Sequence, residues 1–128
     1  MEKCIKDGQI GVIFSPGFGA GWTTWAHDAT KEQLKQLSMD RRLVELVIKK
    51  AELESLQGRL TLGEMGTEWH TILEQIKEIA EQILPEMYMG GAEDLEVSWL
   101  EPGTLFWIEE YDGSESLHSD VMQDKMEA

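Results

Sequence analysis

The stretch around which this chain is organised reads Ser15-Pro16-Gly17-Phe18-Gly19-Ala20-Gly21-Trp22-Thr23-Thr24-Trp25. Glycine is favoured where a backbone takes φ > 0 or approaches another group closely. The two tryptophans place large, flat, amphipathic rings beside that backbone. Backbone amides in such a loop can form an anion-binding nest. We therefore predict a ligand-binding site formed by Gly17, Phe18, Gly19, Gly21, Trp22, Thr23 and Trp25, with Tyr88 from a later glycine-bearing segment.

The loop matches neither of the two common phosphate-binding motifs. No Gly-Lys-Ser/Thr follows it, so it is not a P-loop. Its glycines are spaced G-x-G-x-G, whereas the dinucleotide fingerprint requires G-x-G-x-x-G. The alternative interpretation is a tight turn that packs Trp22 and Trp25 into the core.

Short apolar segments on both sides of the chain's middle predict strands. Gln9–Phe14 is β-branched and apolar, typical of a strand buried on both faces. Leu95–Leu100 alternates apolar and polar residues, typical of a half-buried strand. Leu105–Tyr111, the turn dipeptide Asp112-Gly113 and Ser114–His118 predict a β-hairpin.

The middle of the chain has helical periodicity. Thr30 and Gln33 stand in capping-box positions, and Asp40 is a good N-cap for a helix over Arg41–Gln57. A loop over 58–66, with Gly58 as the residue that ends the helix, leads to a cap at Thr67 and a further helix to about residue 84. The two long helices form a helical hairpin over about 40–85.

Together these elements predict a single α+β domain over residues 1–128. We expect a small antiparallel sheet of three to four strands with the helical hairpin inserted after the first strand. Residues 119–128 are expected to form a frayed, disordered tail or a short terminal helix. Both faces of the strand Leu105–Tyr111 are partly apolar, so either a second subunit covers one face or aromatic side chains line a pocket. We favour a homo-oligomer.

Charge is concentrated in the last part of the chain. The net charge is −14, and residues 78–128 hold 14 acidic residues against one basic residue. This distribution argues against direct nucleic-acid binding, because phosphate contacts need Lys and Arg. An acidic face promotes solubility, attracts a basic partner or imitates a phosphate backbone. The absence of a long apolar run and the single cysteine, Cys4, predict a cytoplasmic protein without disulfides or membrane spans.

Catalytic and metal sites are weakly supported. His27 beside Asp28 is the best acid–base candidate, although adjacent side chains usually point apart. Glu109, Glu110, Asp112 and Glu115 surround the hairpin turn but match no cation-loop spacing. We therefore expect a non-enzymatic protein with no catalytic residues, no metal and no cofactor.

Three blocks of the sequence resemble a family of small phage and prophage proteins. They are residues 10–25, residues 90–100 and residues 102–116, the last including Ile108-Glu109-Glu110-Tyr111-Asp112-Gly113-Ser114-Glu115-Ser116. Trp107 stands where this resemblance leads us to expect a basic residue. The resemblance implies a role in the host cytoplasm, acting on host defence by sequestering a nucleotide signal or occluding a host protein.

Three functional hypotheses follow. The first is a small binding protein for a nucleotide-like ligand held by the glycine loop and the segment around Tyr88. The second is an acidic inhibitor, or nucleic-acid mimic, that docks its 93–115 face on a basic host protein. The third is an enzyme that uses His27 with a neighbouring acid.

Overall fold

A computed structural model of the chain describes residues 1–17, 21–57, 66–119 and 126–128. In these ranges the fold is α+β, as predicted, with three α-helices and two three-stranded antiparallel sheets. The helices are α1 (Lys31–Met39), α2 (Arg41–Gln57) and α3 (Thr67–Ile83). The strands are β1 (Ile5–Lys6), β2 (Gln9–Phe14), β3 (Glu96–Leu100), β4 (Leu105–Tyr111), β5 (Ser114–His118) and β6 (Met126–Glu127).

The first sheet lies between the helices and the second sheet. Its strand order is β1-β2-β3, and the order in the second sheet is β5-β4-β6. On β2, Ile13 faces a core shared with the helices, whereas Ile10 and Val12 pack with Phe106 and Ile108 of β4. The prediction that Gln9–Phe14 is a strand buried on both faces is therefore confirmed.

The predicted single sheet is divided into two. The chain leaves the first sheet at Leu100, turns with Thr104 N donating to Glu101 O at 3.1 Å, and enters the second sheet at Leu105. The strands β2 and β4 then pack against each other through Ile10, Val12, Phe106 and Ile108. On β4, Phe106 and Ile108 are buried, whereas Leu105 and Tyr111 are exposed.

Local capping signals position the helices. Thr30 Oγ1 accepts from Gln33 N at 3.1 Å, and Thr30 N donates to Gln33 Oε1 at 2.8 Å, so the predicted capping box is present. Asp40 Oδ1 accepts from Arg42 N at 2.9 Å at the start of α2. The expected cap at Thr67 is wrong by one residue, because Gly66 is the N-cap and Thr67 is the first residue of α3.

The expectation for the end of the chain also differs from the structure. The end of the chain is neither a frayed tail nor a helix at Met126–Glu127, which pair with β4, and Ala128 N donates to Thr104 O at 2.9 Å. The predictions for Gly58 and for the loop over 58–65 lie outside the described residues.

Cys4 gives a test of the packing around β1. Its side chain is buried, and this burial raises the pKa of the thiol, with a further increase from the Glu45 carboxylate. Fewer thiolates are therefore present at pH 8 in the folded protein than in the unfolded chain. We expect iodoacetamide to alkylate native Cys4 at least about tenfold more slowly than Cys4 in urea. The difference should shrink as the pH rises through the raised pKa, and equal rates at pH 8 would contradict the burial.

Candidate functional site

A buried carboxylate holds the glycine loop in place. Glu115 of β5 is only 2% exposed, and its Oε1 accepts from Ser15 N at 2.8 Å. Its Oε2 accepts from Trp22 N at 2.6 Å, Thr24 N at 3.1 Å and Thr24 Oγ1 at 2.5 Å. Glu115 N also donates to Ser15 O at 2.8 Å. The amides at both ends of the loop do bind an anion, as the sequence suggested, but that anion belongs to the same chain.

This arrangement also answers the question of a cation site near the hairpin turn. Glu115 points into the loop, and Glu110 Oε1 accepts from Gly113 N at 2.7 Å, so the acids around the turn do not converge. Among residues 1–17, 21–57, 66–119 and 126–128, no group of three or more histidine, cysteine or acidic side chains has a geometry that could hold a metal ion.

Trp22 is a core residue. Its ring is fully buried, and its Nε1 donates to Leu37 O at the end of α1 at 2.9 Å. A ring in this position cannot stack on a ligand that enters from solvent. The expectation that Trp22 forms a wall of the site is therefore replaced by a structural role, which is the alternative that the sequence had left open.

Trp25 and Tyr88 lie together, but they contact each other. Their ring centroids are 5.0 Å apart with an interplanar angle of 32°. Tyr88 is 50% exposed and Trp25 is half-buried, so part of this pair remains accessible to solvent. The structure thus joins the two segments that the sequence predicted to form one site.

Glycines make this joining possible. A Cβ on Gly91 would overlap the carbonyl oxygen of Gly21, and a Cβ on Gly17 would overlap the Asp94 carboxylate. Glycine is required at position 91 because the backbones of the two segments approach so closely there, whereas at position 17 a side chain would collide with that of Asp94. Gly17 and Gly21 therefore serve packing in the structure. Phe18 and Gly19, also predicted to bind ligand, lie outside the described residues.

A cavity lies beside the loop, on the side of Thr23 and Thr24. It measures about 340 Å³, within the usual range for small-molecule sites. The 3₁₀ turn Thr23–Trp25, α1, β4 and β6 contribute its lining: Thr23, Thr24, Lys31, Leu34, Phe106, Trp107, Ile108 and Met126. Of the predicted site residues that the structure describes, Thr23 lines it.

Trp107, one of the lining residues, carries an unsatisfied polar group. Its Nε1 is buried and has no hydrogen-bond partner in the described part of the chain. Its ring lies beside that of His118, with centroids 5.7 Å apart. A buried donor without an acceptor is unfavourable and is rare in folded proteins. A bound acceptor would remove this penalty, so Trp107 is a candidate binding residue.

The sequence pointed to Trp107 only indirectly. The two apolar faces of β4 suggested an aromatic-lined pocket as one alternative, and the resemblance to phage proteins led us to expect a basic residue at 107. Lys31 instead supplies the basic side chain in the cavity lining. No local signal identifies Lys31, because it is one of several lysines on helix surfaces and its neighbour Trp107 lies 76 positions later.

The structure gives little support to catalysis. His27 is exposed, and no hydrogen bond joins it to Asp28 among the described contacts. His118 Nε2 lies 3.0 Å from Ser116 Oγ and 3.1 Å from Glu109 Oε2. A nucleophile–base relay needs the serine and the carboxylate on opposite nitrogens of the imidazole. Both groups here meet the same nitrogen, so this cluster lacks that geometry.

No protein-family model, curated protein or solved structure gave a significant match to this chain. None of the helices in the described ranges is long and apolar enough to cross a membrane.

Proposed function

We propose that this protein binds a small anionic ligand with a flat or apolar body, of which a nucleotide is the leading example. The ligand would occupy the cavity between the 3₁₀ turn, α1 and β4. The observation that carries the proposal is that Trp107 lines this cavity while its buried Nε1 has no acceptor in the described part of the chain. A ligand oxygen in hydrogen-bond range would satisfy it.

The charge of the lining favours an anion. The whole chain has 25 acidic and 11 basic residues, yet the described lining residues include Lys31 and no acid. Leu34, Phe106, Ile108 and Met126 supply an apolar surface for the ligand body. An apolar cavity with a few placed polar groups is the usual composition of a small-molecule site.

The predicted glycine-loop contacts take a supporting role in this proposal. The amides of Ser15, Trp22 and Thr24 donate to the Glu115 carboxylate and are not available to bind a phosphate. The loop instead positions Thr23 and Thr24 at the cavity. The exposed edges of Trp25 and Tyr88 remain a second, weaker contact surface.

The resemblance to small phage proteins suggests a use for such a site. We propose that the protein sequesters a nucleotide signal of host defence in the host cytoplasm. The predicted homo-oligomer also stays a proposal, supported by Leu105 and Tyr111, which are 48% and 82% exposed on the outer face of β4.

Ligand binding can be tested by isothermal titration with nucleoside mono- and diphosphates and with indole-3-acetate as an aryl carboxylate. We expect Trp107→Phe to weaken binding about tenfold, because it removes one hydrogen bond to a charged acceptor and keeps the ring. Lys31→Met should weaken binding by a similar factor, whereas Lys35→Met, a lysine of α1 outside the cavity lining, should leave the affinity within about twofold.

Two outcomes would contradict the proposal. One is the absence of binding by every member of the panel. The other is binding that Trp107→Phe and Lys31→Met leave unchanged, which would place the ligand elsewhere on the protein.

A further inference from the structure

Strand β3 is an open edge of the first sheet. It pairs with β2 from Ile10↔Leu100 to Phe14↔Glu96. Along its other side, no strand or backbone partner is present in the described part of the chain. The side chains of residues 97–100 are half-buried, so the strand lies at the protein surface and is not fully covered by other elements. An edge strand presents unpaired N–H and C=O groups to which an extended chain can add.

A groove with an apolar floor runs beside this edge, between β3 and α2. Its volume is about 500 Å³. The lining consists of Ile48, Ala51, Glu52, Glu54, Ser55, Leu95, Glu96, Val97 and Trp99. A second hollow of about 400 Å³ shares Glu54, Leu95 and Glu96 with it and extends the groove towards Gly17, Glu93 and Asp94.

The groove is acidic. Its described lining holds five carboxylates, from Glu52, Glu54, Glu93, Asp94 and Glu96, and a single base, Lys50. Lys50 is only 1% exposed, and its Nζ donates to Glu54 Oε2 at 2.9 Å and to Glu93 O at 2.8 Å. Its charge therefore offsets that of Glu54, and the described lining keeps four more acids than bases.

We propose that β3 is a docking edge for an extended segment of another protein in which basic and apolar residues alternate. The segment would add as a strand to β3, with its apolar side chains on the groove floor and its basic side chains against the acidic rim. A second copy of this chain would bring acids against acids, so charge favours a basic partner. Among the described residues, this surface shares no lining residue with the cavity of the proposed function.

A labelled peptide of alternating lysine and valine tests this proposal by fluorescence anisotropy. We expect it to bind, and to bind more weakly as salt is added, because rim charges are screened. Peptides with glutamate in place of lysine, or with the same residues in a non-alternating order, should not bind. Hydrogen–deuterium exchange should show new protection at residues 95–100. A peptide strand added to β3 would use every second amide to pair with it, so N-methylation of either the odd-numbered or the even-numbered peptide amides should abolish binding.

Charge reversal in the groove provides the matched comparison. The double variant Glu52→Lys/Glu96→Lys changes two exposed acids of the rim, and we expect it to weaken binding at least about tenfold. Glu74→Lys reverses an exposed acid of α3 outside the groove lining and should leave the affinity within about twofold. Both variants must retain the wild-type unfolding midpoint for the comparison to count as support.

Several results would overturn the proposal. These are a Kd weaker than about 1 mM, equal binding of the acidic peptide, or binding without new protection at residues 95–100. Protection of that segment by self-association of the protein alone would assign the edge to a second copy instead.

Discussion

Replacing Glu115 by alanine is expected to lower the free energy of unfolding by about 3–5 kcal/mol, since each buried donor left without an acceptor costs about 1–3 kcal/mol. Three backbone amides and the Thr24 hydroxyl converge on this carboxylate. Urea unfolding followed by circular dichroism measures the change.

Glu115→Gln tests the contribution of the negative charge alone, because it keeps the shape of the side chain. The amide keeps the side-chain volume, but its NH₂ group would face backbone donors in place of one carboxylate oxygen. We therefore expect most of the alanine effect to remain. Glu109→Ala, an exposed acid on the neighbouring strand, should change stability by about 0.5 kcal/mol or less. Similar small effects at both positions would show that Glu115 does not hold the loop.

Trp22→Ala is expected to be the second most destabilising change, by about 3–5 kcal/mol, because it leaves a large cavity in the core. The ring is fully buried, and the loss of its Nε1 also leaves Leu37 O without this donor. Trp22→Phe keeps most of the packing and removes the hydrogen bond, so it should cost less than Trp22→Ala. Thermal and urea unfolding of the three proteins measure both effects.

Trp25→Ala is the matched control for Trp22. Trp25 is half-buried and contacts Tyr88, so we expect a loss of about 1–2 kcal/mol. Equal destabilisation by the two alanine variants would contradict the different burial of the two rings. The comparison also affects binding tests, because lost binding in Trp22→Ala would reflect unfolding, whereas lost binding in Trp25→Ala would indicate ligand contact.

The elements of the fold were predictable where their signals are local. The capping box at Thr30 and Gln33 and the cap at Asp40 lie within a few residues of the helices they start. The turn Asp112-Gly113 takes φ of 51° and 84°, the left-handed values that this dipeptide favours in a tight hairpin. These contacts depend on neighbouring residues alone, so periodicity and turn chemistry identify them.

The site was less predictable because its contacts are distant in sequence. Glu115 appeared as one of several acids around a turn, and nothing near it indicates that its partners are Ser15, Trp22 and Thr24. The cavity combines Lys31 with Trp107, which lie on different elements. The division of the strands into two sheets likewise depends on which apolar faces meet, and that information is absent from any single segment.

The bond between Ser15 N and Glu115 has a consequence for synthesis of the chain on the ribosome. Its partners are separated by 100 positions, so the amino-terminal loop emerges long before its acceptor is made. Until then its amides depend on water or on transient partners, and β2 lacks both β3 and the second sheet. Completion of the fold therefore waits until the hairpin that carries Glu115 has left the exit tunnel.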